Sequence, residues 1–126
     1  SDCRGRDIGY PEIDGKRYKT LQIPTTLPTY DEIIGRNGVN ESNYNEYIMS
    51  LIEPGRLNVL TIHSEVEGIS CFNQFRRFTE KCADRNIKIV PLCDIRDSIK
   101  ETKNILNINF KEIPGREGNL AVAKKM

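Results

Sequence analysis

The chain has 126 residues, with 19 basic and 18 acidic side chains and a single histidine, for a net charge of +1. Neither sign forms a long block, which speaks against an electrostatic nucleic-acid partner. No apolar run approaches the roughly 20 residues of a membrane-spanning helix. The length suits one domain that buries roughly two-thirds of its unfolded surface.

The first residues, Ser1-Asp2-Cys3-Arg4-Gly5, show no initiator Met and no signal-peptide pattern, so the chain reads as cut from a longer one. Residues 6 to 19 read as a polar loop with a short hairpin, because Asp14-Gly15 favours the positive φ of a tight turn. Leu21-Gln22-Ile23-Pro24 reads as a short strand stopped by proline. Thr25 to Glu32 continues as a loop into a brief helical turn. Asn40 or Ser42 caps a helix running to about Ile52, with Tyr44, Tyr47, Ile48 and Leu51 on one apolar face, and Pro54-Gly55 ends it.

Leu57 to Ile62 is apolar and β-branched, and reads as a buried strand that delivers His63. Ser70 caps the next helix, where Phe72, Phe75, Phe78, Thr79, Cys82 and Ala83 share a face that reads as core. Ile87-Lys88-Ile89-Val90 is a further strand ended by Pro91. Asp94 to about Lys100 forms a short helix with Ile95 and Ile99 inward. This βαβα order implies right-handed crossovers and a parallel sheet, with His63 and the residues after Val90 on one rim. Residues 105 to 113 and Asn119 to Lys124 form a C-terminal hairpin about Pro114-Gly115-Arg116-Glu117-Gly118. That turn either brings an Arg and a Glu to a ligand or is simply exposed.

His63 has two readings. It is a proton donor or acceptor at a strand end, or a hydrogen-bonded residue at the edge of a core. Glu65 and Glu67 alternate with Val66, and Gly68 closes the stretch, so two carboxylates stand beside the imidazole. A solvated acidic loop is the plain alternative. Cys3, Cys71, Cys82 and Cys93 form no C-x-x-C pair, and with one His they complete no zinc pattern. They read as reduced, structural thiols, which suits an intracellular compartment.

Three segments together carry a resemblance: Ser1-Asp2-Cys3-Arg4-Gly5, Gln22-Ile23-Pro24-Thr25-Thr26-Leu27-Pro28-Thr29-Tyr30-Asp31-Glu32, and Thr61-Ile62-His63-Ser64-Glu65-Val66-Glu67-Gly68. With Pro91-Leu92 and Gly115-Arg116-Glu117-Gly118 in the same order, the chain resembles the C-terminal part of bacterial 4-deoxy-4-formamido-L-arabinose-phosphoundecaprenol deformylases, of the polysaccharide deacetylase superfamily. The resemblance implies an α/β fold, the C-terminal part of a distorted (β/α) barrel ending in a β-hairpin, with residues 1–126 forming part of one catalytic domain. Asn119 and Tyr30 stand where that family commonly has an aromatic residue and an indole.

The implied chemistry is metal-assisted hydrolysis of a formamide on an undecaprenyl-phosphate-linked aminoarabinose, a step in lipid A modification, at the cytoplasmic face of the bacterial inner membrane. Leu60-Thr61-Ile62-His63 matches the superfamily's Leu-x-x-His, which makes His63 the general acid. Asp2 matches a carboxylate that orients an Arg of a preceding motif. Arg4 is a candidate for the lipid-linked phosphate, and Thr25, Thr26, Glu65 and Glu67 for sugar hydroxyls. The superfamily's metal motifs are absent, so a divalent metal is expected in the complete enzyme and no tight site in this chain alone. Half a barrel leaves raw sheet edges, so the chain is expected to pair with the missing N-terminal half or to self-associate. A non-catalytic glycolipid-binding or half-barrel partner subunit, and a related sugar N-deacetylase, are the alternatives.

Overall fold

Alternation along the last 22 residues builds the longest strand pair of the fold. The computed structural model describes residues 3–126. In it, β4 (Ile105–Glu112) and β5 (Asn119–Lys125) pair antiparallel from Leu106 opposite Lys125 to Glu112 opposite Asn119. Leu106 and Ile108 point to one face, as period-two spacing requires. They meet Ala123 and Cys3 in a small sheet core. Phe110, next on that face, is 62% exposed, so the core ends there.

Three short strands complete the sheet. β1 (Cys3–Arg4) lies parallel to β5, and β2 (Tyr10–Ile13) lies parallel to β4 and antiparallel to β3 (Lys16–Arg17). The order is β1-β5-β4-β2-β3, a five-stranded open sheet. The β2–β3 turn is the expected one: Asp14 and Gly15 both take positive φ, 49° and 75°. That pair of angles matches the right-handed twist of the flanking strands.

The helices form a second core. α1 (Tyr30–Ile33) is one turn, followed by α2 (Tyr44–Leu51), α3 (Phe72–Asp84) and α4 (Leu92–Ser98). Tyr44, Ile48 and Met49 of α2 meet Phe78 and Cys82 of α3, with Leu27 and Val39, and Tyr47, Leu51 and Phe75 pack around them. The stripe predicted on each helix therefore supplies the packing, except at the two ends of the α3 stripe: Ala83 is exposed, and Phe72 is 54% exposed. The cause at Phe72 is a π-helical turn at Val66–Ser70 that precedes α3. Ser70 ends that turn, its hydroxyl donates back to the Glu65 carbonyl at 2.9 Å, and Cys71 takes the N-cap place expected of Ser70. Asn43, not Asn40 or Ser42, is the N-cap of α2.

The sheet departs from the parallel βαβα expectation. Residues 57–62 and 87–90 are not strands, and Leu21–Pro24 is reduced to an isolated bridge between Gln22 and Gly9. Segment 57–62 touches its neighbour through Val59, whose carbonyl accepts Thr26 N–H at 3.1 Å and Leu27 N–H at 3.0 Å. Ile89 is 60% exposed. An apolar run becomes a buried strand only when ladders form along its edges, and among the described residues these two runs have none. The parallel pairs that do form, β1 with β5 and β2 with β4, involve other segments. α4 buries no residue, and Ile95 and Ile99 are only half-buried.

Candidate active site

The loop that enters α1 organises a cluster of charges. Glu32 reaches back so that Oε2 accepts the Thr29 N–H at 3.1 Å, one arm of a capping box. The buried Thr29 hydroxyl donates to Asp31 Oδ1 at 2.6 Å. These bonds fix two adjacent carboxylates at a helix start, where the positive end of the helix favours them.

Two arginines from distant parts of the chain close on that pair. Arg4, at the end of β1, donates through Nη1 to the Leu27 carbonyl at 2.6 Å and pairs through Nη2 with Glu32 Oε1. Arg116, from the turn between β4 and β5, meets Asp31 Oδ2 at 2.9 Å and lies 3.9 Å from Glu32 Oε1. Burial alone would raise the Asp31 carboxyl, but the Thr29 hydroxyl and the Arg116 guanidinium outweigh it and hold the group below the usual carboxylate range. Gly115 makes the approach of Arg116 possible. It has φ +84°, and a Cβ there would stand 2.6 Å from the Asp31 carbonyl oxygen.

Above this cluster lies an open cleft of about 360 Å³, lined by Arg4, Thr25, Thr29, Thr61, Arg116 and the start of β5 at Leu120 and Ala121. Its volume is in the range of small-molecule sites. Thr25 and Thr61 share a hydroxyl hydrogen bond of 2.7 Å across its floor. That bond ties the segment carrying His63 to the loop that precedes α1, so His63 follows the cleft wall by two residues.

The His63 backbone is held more firmly than its ring. Its N–H donates to Glu67 Oε2 at 2.7 Å, and its carbonyl accepts Val66 N–H at 3.0 Å and Glu67 N–H at 2.9 Å. Among the described residues the imidazole takes no hydrogen bond, which leaves both ring nitrogens to a ligand or to water. Glu65 is exposed. Its own backbone N–H and the Ser64 hydroxyl, helped by the charge of His63, keep its carboxyl below the usual range.

The predicted site residues thus divide. Arg4 and Thr25 reach the cleft. Thr26 does not: its hydroxyl accepts Val59 N–H at 2.8 Å and it lies on the other side of its strand-like segment. Glu67 faces inward and is 4% exposed, so it is placed to hold the His63 turn rather than to meet a sugar. Asp2 lies outside the described residues. Thr29, Asp31, Glu32 and Thr61 are members that the sequence reading left out, and Arg116 was left open between a ligand contact and an exposed turn. The Gly-Arg-Glu-Gly turn was the signal for Arg116, and the S/T-x-x-E spacing from Thr29 to Glu32 was the signal for the cap.

No group of three His, Cys, Asp or Glu residues among those described could hold a metal ion. One histidine, with Glu65 and Glu67 pointing apart, does not supply the donor set of a divalent catalytic metal. No helix among the described residues is long and apolar enough to cross a membrane.

No protein-family model matches the chain. It is 44% identical over 124 residues to a protein of Shewanella sediminis (strain HAW-EB3) and 38% identical over 130 residues to one of Wigglesworthia glossinidia brevipalpis. Both are named "Probable 4-deoxy-4-formamido-L-arabinose-phosphoundecaprenol deformylase ArnD". The matches cover 96% and 100% of this chain but 38% and 44% of those relatives, so the chain spans about two-fifths of their length. The two matches together support the ArnD family for this chain, whose extent fits a C-terminal portion of such a protein.

Proposed function

We propose that this chain is the acid-donating portion of a hydrolase that removes formate from undecaprenyl-phosphate-linked 4-deoxy-4-formamido-L-arabinose, in lipid A modification. The observation that carries the reading is the Thr25–Thr61 bond, which ties the segment carrying the only histidine of the chain to the lining of the cleft, two residues before His63. Cleaving a formamide expels an amine, and an amine leaves readily only if it is protonated as the C–N bond breaks. His63 supplies that proton. Its backbone is pinned on both sides while its ring stays available.

The cleft binds and orients. The hydroxyls of Thr25 and Thr61 and the outward N–H groups of Arg4 and Arg116 offer donors to sugar hydroxyls and to a phosphate oxygen. The pairing of both guanidiniums with Asp31 and Glu32 fixes their planes and keeps the cleft from being a bare cationic trap. Glu65, exposed beside His63, is the remaining candidate for a hydroxyl contact.

A divalent metal in this superfamily polarises the carbonyl and activates water. The described residues do not fit such an ion, so its ligands are assigned to the rest of the full-length polypeptide. That portion also completes the distorted barrel of which this open sheet is a part. The place of action is the cytoplasmic face of the inner membrane, reached through the lipid of the substrate. The test is formate release from that glycolipid, with added divalent metal, by this chain alone and by the full-length polypeptide that carries it. Release by the longer form only supports the proposal. A folded longer form that binds the glycolipid but releases no formate would instead make the chain part of a binding protein.

A further inference from the structure

Tyr44 Oη, Asn45 Oδ1 and Glu67 Oε1 are buried without a hydrogen-bond partner. The three residues line one small pocket of about 10 Å³, together with Tyr30, Leu60, Cys71, Gln74, Phe75 and Phe78, between α2, the first turns of α3 and the turn after His63. A space of this size holds one water, and a buried water is stable when it has two to four polar partners.

The donors and acceptors match one such molecule. Asn45 Nδ2 donates to the Gln74 carbonyl at 3.0 Å, which fixes the amide so that Oδ1, an acceptor, faces the cavity. Burial, and next the Glu67 carboxylate, push the Tyr44 phenol above its ordinary value, so it keeps its proton. The unpartnered atoms are two acceptors, Glu67 Oε1 and Asn45 Oδ1, and one donor, Tyr44 O–H, with the Tyr30 phenol and the Cys71 thiol also on the lining. A water has two protons to give and lone pairs to receive. Without it, each orphaned group would keep its desolvation penalty uncompensated.

We propose that Glu67 is a positioning residue for His63, a carboxylate strap with one oxygen on the His63 N–H and the other anchored in the interior by a single water shared with Tyr44 and Asn45. The inference rests on the general-acid reading of His63 and deepens it. Glu67 touches no substrate. It acts by holding the main chain from which the imidazole projects, and displacements near 1 Å at a reacting group cost up to about 10²-fold in rate.

The test uses the full-length polypeptide with Glu67→Ala, Glu67→Gln and Tyr44→Phe. Glu67→Ala should lower kcat by at least about 10-fold with KM within twofold. Glu67→Gln retains an acceptor for the His63 N–H and should recover most of that loss, while Tyr44→Phe should cost only a few-fold. In ¹⁵N-labelled protein, the His63 amide should resonate downfield and exchange slowly in the wild type, and should lose both properties in Glu67→Ala while the α2 amides stay unchanged. Unaltered kcat and an unaltered His63 amide in folded Glu67→Ala would overturn the proposal. So would a Glu67→Gln variant no better than Glu67→Ala. The amide readout needs no turnover, so an inactive wild type would sink the deformylase reading while the strap was still decided by the resonance. A high-resolution crystal structure should show a water within hydrogen-bond reach of all three atoms, and a direct bond from Tyr44 Oη to Glu67 Oε1 in its place would overturn the water site.

Discussion

Gly115 and Arg116 show how one turn serves both backbone and charge. A side chain at Gly115 would meet backbone on α1 while the residue is held at φ +84°, so neither the neighbour nor the torsion yields cheaply. Gly115→Ala should destabilise the fold by upwards of about 1 kcal/mol, read as a lowered denaturant midpoint. Asp31, on the receiving side of Arg116, has a folded-state pKa below its unfolded one. It therefore contributes stability above the ordinary carboxylate pKa and loses that contribution as pH falls through the folded value. Thermal stability should drop on acidification below about pH 4, and Asp31→Asn should make that drop shallower. Equal acid slopes in the two proteins would show that Asp31 is not one of the groups responsible. His63 stood out in the sequence because it is alone and follows an apolar run, and in the fold it lies two residues beyond Thr61 of the cleft lining. Arg116 was only half legible: its turn was evident, but the 85-residue separation from Asp31 is a fact of folding that no local pattern encodes.

α2 and α3 meet through apolar stripes at i, i+3, i+4 spacing, which is why both were readable from sequence. Ile48 is fully buried at their contact. Ile48→Ala should cost about 2–5 kcal/mol by chemical denaturation, because the surrounding side chains close such a cavity only in part. α4 is different, since it buries nothing. Its amides should exchange well before those of α3, consistent with opening energies that follow local burial. The C-terminal hairpin and the Asp14-Gly15 turn were legible for the same local reasons, alternation and positive φ. The π-helical turn at Val66–Ser70 was not. Its extra residue shifts the start of α3 past Ser70 and turns Phe72 outward, and no spacing rule for an α-helix anticipates that.

The two segments read as strands, 57–62 and 87–90, show what a chain covering two-fifths of its relatives' length leaves open. Their composition is that of strands covered on both faces, yet Ile62 is 47% and Ile89 60% exposed, and Ile69 and Phe72 add to the apolar surface. The α/β class was therefore legible, while the sheet order was not, because pairing depends on neighbours that a local pattern does not specify. This chain expressed alone should self-associate, seen as a concentration-dependent sedimentation coefficient, and the full-length polypeptide should protect the amides of 87–90 from exchange. A monodisperse monomer over a wide concentration range, or unprotected amides in the longer form, would show that these segments are not strands awaiting partners.

The proton delivered by His63 to the departing amine is the step on which the proposed function stands. Formate release should be measured in the full-length polypeptide with and without His63→Ala, at matched metal content and with folding verified. A fall of about 10²- to 10⁴-fold in kcat, the usual contribution of a positioned general acid, is the expected result. Turnover equal to that of the wild type would contradict it and return His63 to a structural place in the turn before α3.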